Sequence, residues 1–321
     1  MGVRRIRGVL LWFSPELSEI ILLTMADPRI SVIVVCLNSS NVREVCLNAL
    51  QAQADLGGNE ILAVGHWGEV NSESMLWGER FPAIRWLSVS DETTIPEMRT
   101  CGILQSRGEI VALLEDDCVV SEGWLLAVMR AHAESYPIIG GAIAPGNYRR
   151  FLDWAVYFCE YARFAPPFSG PQNALPGNHV TYKKNALPAF ESGEGFYEVF
   201  FHNDWQRSGG QLIADPNIVV SNINRWSLHH ITNIPFHHGR SFAGMRSQRF
   251  PFWRKGLYPV LSLALPILKV ARLAVAVFNR QQYQLQFFLS LPWIMIFLIS
   301  WSLGELLGYI AGTGHSAKQW R

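Results

Sequence analysis

Gly108-Glu-Ile-Val-Ala-Leu-Leu-Glu-Asp-Asp117 is the stretch on which the fold turns. Glu109 to Leu114 reads as a strand buried on both faces, because its apolar residues run on without alternating. It ends directly on three carboxylates, Glu115, Asp116 and Asp117. Strands of this kind belong to parallel sheets, whose ligands bind beyond the carboxyl ends of the strands. Three adjacent negative charges there need neutralising. A divalent cation, Mg²⁺ or Mn²⁺, takes oxygen ligands and leaves positions for substrate phosphates. The acidic triplet is therefore the candidate metal site. The competing reading is a solvated acidic loop, since charge runs usually face water; the position at a strand end favours the metal.

Working outward, the same strand-then-helix pattern repeats. Upstream, Ile30 to Cys36 is a second continuous apolar run, rich in Val and Ile. Ser39, Ser40 or Asn41 can cap the helix that follows, whose apolar face is Val42, Val45, Cys46, Ala49 and Leu50. Strands are expected at Ile61 to Val64 and Ile84 to Val89, and Pro96 suits the first turn of a helix running to Ser106. Downstream, Ser121 opens a helix with Trp124, Leu125, Val128 and His132 on one face. Alternation of this kind predicts an α/β domain, a mostly parallel sheet with helices on both faces.

Further along, Glu198 and His202 stand four apart in a helical stretch, Phe196 to Ser208, closed by Gly209-Gly210. That spacing puts both on one face. A carboxylate there can serve as general base towards an attacking hydroxyl, with the histidine assisting; the alternative is an exposed helix with a satisfied histidine. Asp204 is a further carboxylate on the same stretch. His229, His230, His237 and His238 match no common zinc spacing. They fall in a basic, aromatic segment with Phe236, Arg240, Phe242 and Arg246, whose cations, Arg240 among them, can neutralise donor phosphates.

Charge and cysteine content narrow the function classes. Of 321 residues 49% are apolar and only 17% charged, and the net charge of +1 gives no basis for nucleic acid as a partner. Five cysteines without CxxC spacing argue against a disulfide framework or zinc knuckle and for reduced thiols in a cytosolic domain. Phe287 to Gly304 carries no charged residue and is close to the length a bilayer requires. Leu257 to Phe278 is also apolar but is interrupted by Lys269 and Arg272, so it either spans or lies in the interface with its basic face outward. Basic residues flank the pair on both sides, which fits a hairpin with cytosolic ends in an inner or plasma membrane. A buried helical pair of a soluble domain is the competing reading. The expected organisation is an extension at 1–28, a catalytic domain at 29–246 and membrane-associated helices at 247–321. The extension's apolar run, Val9 to Phe13, is too short for a signal sequence.

In order and spacing these pieces resemble family 2 glycosyltransferases of the GT-A fold, over about Ile30 to Arg246. Ser31-Val-Ile-Val-Val-Cys-Leu-Asn38 resembles the opening strand and turn, Met98-Arg99 the helix before the acidic strand, and Gly123-Trp124-Leu125 and Gly140-Gly141 the segments after it. Gly177-Asn178 and Tyr182-Lys183-Lys184 resemble the acceptor-side segment, and Glu198 falls where the family places its catalytic carboxylate. The resemblance implies an inverting hexosyl transfer from a nucleotide-sugar donor to a hydroxyl of a lipid-linked or cell-envelope glycan acceptor, at the cytosolic membrane face. It implies Glu198 as base, His202 beside it, a cation on the acidic triplet, and donor contacts from Asn38, Arg99 and Asp116. There are departures. Gly65-His66-Trp67 stands where the family has nucleotide-binding aspartates, leaving His66 as the donor-side residue. Asn222 stands where many members have a metal-ligating histidine, and the QxxRW motif of processive synthases is absent. The altered nucleotide site motivates an alternative, a catalytically weak membrane protein of the same fold that binds a nucleotide or a partner. A nicotinamide oxidoreductase is disfavoured because no GxGxxG follows the first strand.

Overall fold

The computed structural model describes residues 3–6, 9–12, 29–37, 40–53, 59–67, 72–248 and 250–320. Within the extension, β1 (Val3–Ile6) and β2 (Val9–Trp12) pair as an antiparallel hairpin. Asn38 lies outside the described residues.

The apolar runs become strands where expected. β3 (Ile30–Cys36) is buried along its whole length, with α1 (Ser40–Gln51) behind it. β4 (Asn59–Gly65), α2 (Ser72–Arg80), β5 (Ile84–Ser88), α3 (Ile95–Gln105) and β6 (Ile110–Glu115) continue the alternation. β5, β4, β3 and β6 pair in that order, all parallel. Thr94 and Glu97 form a capping box at the start of α3, which fixes the helix that carries Arg99. That helix packs closely on β3, since a Cβ on Gly102 would lie against Ile33.

The second half of the sheet alternates in direction. It contains β7 (Cys118–Val120), α4 (Trp124–His132), β8 (Ile138–Pro145), α5 (Phe151–Tyr161), β9 (Gly170–Gln172), β10 (His179–Lys183), α6 (Glu198–Arg207) and β11 (Leu212–Asn222). β10 inserts antiparallel between β6 and β8, β11 lies parallel to β8, and β7 and β9 pair antiparallel with β11. Parallel pairing thus joins β5, β4, β3 and β6 and recurs between β8 and β11, while β10, β7 and β9 pair antiparallel. Two apolar clusters, one on each face, fill the space between sheet and helices.

Four helices follow: α7 (Leu228–Gln248), α8 (Phe252–Ser262), α9 (Leu265–Arg280) and α10 (Gln284–Ala311). Among the described residues α10 is long and apolar enough to cross a membrane, and residues Gly256–Ser262 with Leu265–Arg280 qualify only jointly, across a 59° bend. α10 is two-sided. Leu285, Phe288, Leu289, Ile299, Leu303 and Ile310 are exposed, while Phe287, Ile294, Phe297, Leu298, Glu305 and Tyr309 are buried. Its inner face runs parallel to α7: a Cβ on Gly304 would meet the Phe236 carbonyl carbon at 2.8 Å, and one on Gly308 the Arg240 carbonyl carbon at 3.0 Å. Small residues at that spacing let two helix backbones approach. Lys269 does not present a basic face outward. Its ammonium sits 4.1 Å from the centre of the Trp301 ring on α10, a cation–π contact that satisfies it inside the helical layer.

Candidate active site

The sheet ends, α6 and the C-terminal helices enclose one cavity of about 740 Å³. Its lining includes a polar group, Arg99, Glu115, Asp117, Gly177, Asn178 and Glu198, and an aromatic group, Phe242, Phe297, Trp301 and Trp320.

Arg99 organises the polar group. It is 7% exposed, donates to Glu115 Oε1 at 3.1 Å through Nη2, and donates to Glu198 Oε2 through Nη1. One guanidinium therefore ties the last residue of β6 to the first residue of α6. Glu198 also lies in the first turn of its helix, where the unsatisfied amides favour negative charge. Gly177 fits against this carboxylate so closely that a Cβ there would stand 2.5 Å from Glu198 Cδ and 2.9 Å from Cγ. Neighbouring Asn178 is buried and donates to the Tyr161 hydroxyl at 3.1 Å.

The three acidic residues do not act alike. Asp116 is fully buried and faces away from the cavity; it accepts from the Leu37 amide and from Arg43 Nε, both at 3.1 Å. Arg43 in turn lies over the rings of Trp67 and Trp77. Glu115 and Asp117 face the cavity. Burial, followed by the charges of Glu115 and Asp116, pushes the Asp117 carboxyl up to about 7. Burial likewise raises Glu115, against the Arg99 charge and with the help of Glu198. The Asn222 amide lies against Asp117; its oxygen accepts from the Tyr148 hydroxyl at 2.6 Å, and its nitrogen has no well-formed hydrogen bond among the described residues.

Of the residues singled out from the sequence, Glu115, Asp117, Arg99, Glu198, Gly177 and Asn178 meet in this cavity. Asp116, His66, His202 and Arg240 do not line it. His202 shares the Glu198 face of α6 but sits one turn deeper, bonded through Nε2 to the Tyr182 hydroxyl at 2.9 Å. Burial and then the Arg99 charge push it down to about 4, so it is neutral and part of the packing. His66 turns to Asp91, with Nδ1 3.6 Å from Oδ1. Arg240 donates to the Gly312 carbonyl at 3.2 Å, where the end of α10 attracts a cation. Asp204 pairs with Arg207 on the surface. The sequence reading missed Glu160 and Tyr161 on α5, and Trp301 and Trp320. Trp301 lay hidden inside an apolar run read for its length alone.

No family model and no curated protein matches the chain. Among solved structures it is similar to a mannosyltransferase from Pyrobaculum calidifontis, in complex with GDP-Man and Mn²⁺. Identity is 16%, 88% of each chain is covered, and the TM-score is 0.55. A looser likeness, at 11% identity and a TM-score of 0.48, is to GalNAc-T7 with UDP, GalNAc and Mn²⁺, over 62% of this chain and 45% of that one. The chain has a GT-A-like fold.

Proposed function

We propose that this protein is an inverting glycosyltransferase, moving a sugar from a nucleotide-sugar donor to an acceptor hydroxyl at the cytosolic face of a membrane. Residues 29–246 form its catalytic domain, and residues 247–321 attach it to the bilayer through the exposed apolar stripes of α8 to α10. The observation that carries this reading is the Arg99 bridge, which holds Glu198 and the strand-end carboxylate Glu115 on one cavity wall beside Asp117.

Glu198 is the base. It accepts the proton of the acceptor hydroxyl as that oxygen attacks the anomeric carbon, and the bond from that carbon to the nucleoside diphosphate breaks on the opposite side. Arg99 orients Glu198, and Gly177 leaves the carboxylate room. A metal fits the donor set at Asp117 and Glu115: burial raises both carboxyls, Asp117 to about 7, and such groups are ones that a cation would relieve. As placed, the Asn222 nitrogen is directed at Asp117 and its oxygen accepts from Tyr148; amide oxygen and nitrogen are distinguished only by their hydrogen bonds, and Asn222 would offer a cation its oxygen with the amide reversed. Among the described residues no three acidic, histidine or cysteine side chains converge. Two carboxylates, an amide oxygen, water and substrate phosphates suit Mg²⁺ or Mn²⁺. Such an ion would supply positive charge against the departing diphosphate.

A panel of nucleotide sugars, screened by thermal shift with and without Mn²⁺ on the detergent-solubilised chain, tests the donor side; ligand stabilisation follows mass action. Glu198→Gln should lower turnover by about 10² to 10⁴ while sparing donor binding. Unchanged turnover removes Glu198 from the role, and donor binding indifferent to Mn²⁺ removes the metal.

A further inference from the structure

The aromatic lining of the cavity has an order that packing alone does not require. Trp320 stacks on Phe242 at 5.4 Å and 25°, Phe242 on Trp301 at 6.5 Å and 14°, and Trp301 on Phe297 at 6.5 Å and 16°. The rings come from three separate elements, α7, α10 and the 3₁₀ turn Ser316–Gln319 with the residue after it. Their polar atoms are already taken: the Trp301 indole donates to Glu305 at 2.7 Å and the Trp320 indole to Ser241 at 3.2 Å. The row therefore offers the cavity only carbon. It lies on the inner side of α10, whose outer side exposes Ile299 and Leu303. A helix is about 10 Å across, so one helix separates this wall from the surface that we assign to the bilayer.

The same cavity is lined by Glu160, the penultimate residue of α5. Its carboxylate makes no hydrogen bond or salt bridge among the described residues. Lys269 and Arg163 act on it only at a distance, and burial pushes it up to about 7. A carboxyl facing a cavity with open lone pairs suits a ligand that donates hydroxyl hydrogens. Arg99, Arg163, Arg207, Arg246 and Arg254 line the cavity as well, so an anionic head is the alternative that alkyl phosphates test. Arg246 borders the row, but it already donates to Glu305 at 3.3 Å and to Tyr309 at 3.0 Å.

We propose that this part of the cavity is an acceptor subsite for an amphipath, with a hydroxyl-bearing head at Glu160 and an apolar tail along Trp320, Phe242, Trp301 and Phe297. The inference rests on the glycosyltransferase reading and names the class of its acceptor. The volume is within the range of about 300 to 1,000 Å³ typical of small-molecule sites.

Calorimetric titration of the full chain in amphipol, with alkyl glucosides of four to eight carbons and alkyl phosphates of the same lengths, tests it without any donor. Each added methylene should tighten glucoside binding by about three- to fourfold, and phosphates should bind more weakly throughout. Phe242→Ala should flatten the chain-length slope while leaving the shortest glucoside nearly unchanged. Glu160→Gln should weaken glucosides by one common factor at every length. A wild-type slope that persists in Phe242→Ala, or that is absent altogether, overturns the tail assignment. Phosphates binding as tightly as glucosides, or a silent Glu160→Gln, overturn the head assignment. If Phe242→Ala fails to fold, the wild-type slope and the Glu160→Gln offset decide. Because no nucleotide sugar is present, a failure here is separable from a failure of the Mn²⁺-dependent donor shift.

Discussion

Gly177→Ala tests the site through space rather than charge. The added methyl carbon would stand 2.5 Å from Glu198 Cδ and closer still to Oε1. Ordinary carbon contacts lie at about 3.5 to 4.0 Å, so the carboxyl must retreat by about 1 Å. It cannot do so freely, because Arg99 holds its other oxygen and Arg99 is itself pinned to Glu115. A displacement of about 1 Å at a reacting group costs on the order of 10²-fold, or about 2.7 kcal/mol of barrier. Gly177 has no positive φ, so Ala meets no backbone strain and the midpoint of thermal unfolding should move little. Steady-state release of nucleoside diphosphate, alongside that midpoint, gives the two readings. The reasoning also requires that the effect pass through Glu198: Gly177→Ala placed on Glu198→Gln should cost far less than the product of the two single effects. Turnover within threefold of wild type, or full additivity in the double variant, would refute it.

The other predictions concern the charges around that carboxylate. Arg99→Met leaves Glu115 and Glu198 together and unneutralised, at side-chain exposures of 20% and 12%. Removing one partner of such a buried cluster should destabilise the chain by about 3 kcal/mol, read by denaturant unfolding; a loss under about 0.5 kcal/mol would mean that water screens the pair. Asp117, held near 7 in the fold against about 3.9 when unfolded, contributes stability that is complete below about pH 4 and lost as pH rises through 7. The metal-free protein should therefore melt progressively lower from pH 5 to 8. Asp117→Asn should flatten that slope, and Mn²⁺, which binds the ionised form, should raise the midpoint more at pH 8 than at pH 5. Asn222→Ala should weaken Mn²⁺ binding about tenfold or more, measured by the free-ion resonance signal; unchanged affinity would leave Asn222 with packing alone.

What could be read from the sequence was set by how local the signal is. β3, β4, β5 and β6 are continuous apolar runs that carry their own signature, and the capping box at Thr94 and Glu97 marks a helix start within four residues. The second half depends on distant pairing. β10 enters between β6 and β8, and nothing in His179–Lys183 states which strands flank it. α5 buries seven of its eleven residues and so has no polar stripe to announce a helix, which is why Glu160 went unnoticed. The acidic triplet was legible as a unit, but its division of labour was not. Asp116 is drawn inward because Arg43, on a helix 73 residues earlier in the chain, waits there with Trp67 and Trp77 beneath it. Helical spacing placed Glu198 and His202 on one face correctly. It could not tell that α6 lines the cavity with Glu198, Asn203 and Arg207 while His202 turns to Tyr182 in the core.

The same geometry ties the C-terminal helices to the proposed chemistry as well as to the proposed attachment. α10 contacts α7 along residues that keep step, Phe236 with Gly304 and Arg240 with Gly308, and a helix aligned in that way cannot pivot without opening both glycine contacts. Arg246 on α7 joins Glu305 and Tyr309 on α10, and Glu305 also takes the Trp301 indole. Trp301 thereby has a set orientation against Phe242, and Phe242 against Trp320, whose ring meets Tyr197 next to Glu198. A chain of fixed side chains thus runs from the apolar outer helix to the carboxylate assigned as base. On this argument the outer helices shape the acceptor part of the cavity, and detaching them would blunt acceptor use while leaving the Arg99 bridge between β6 and α6 in place.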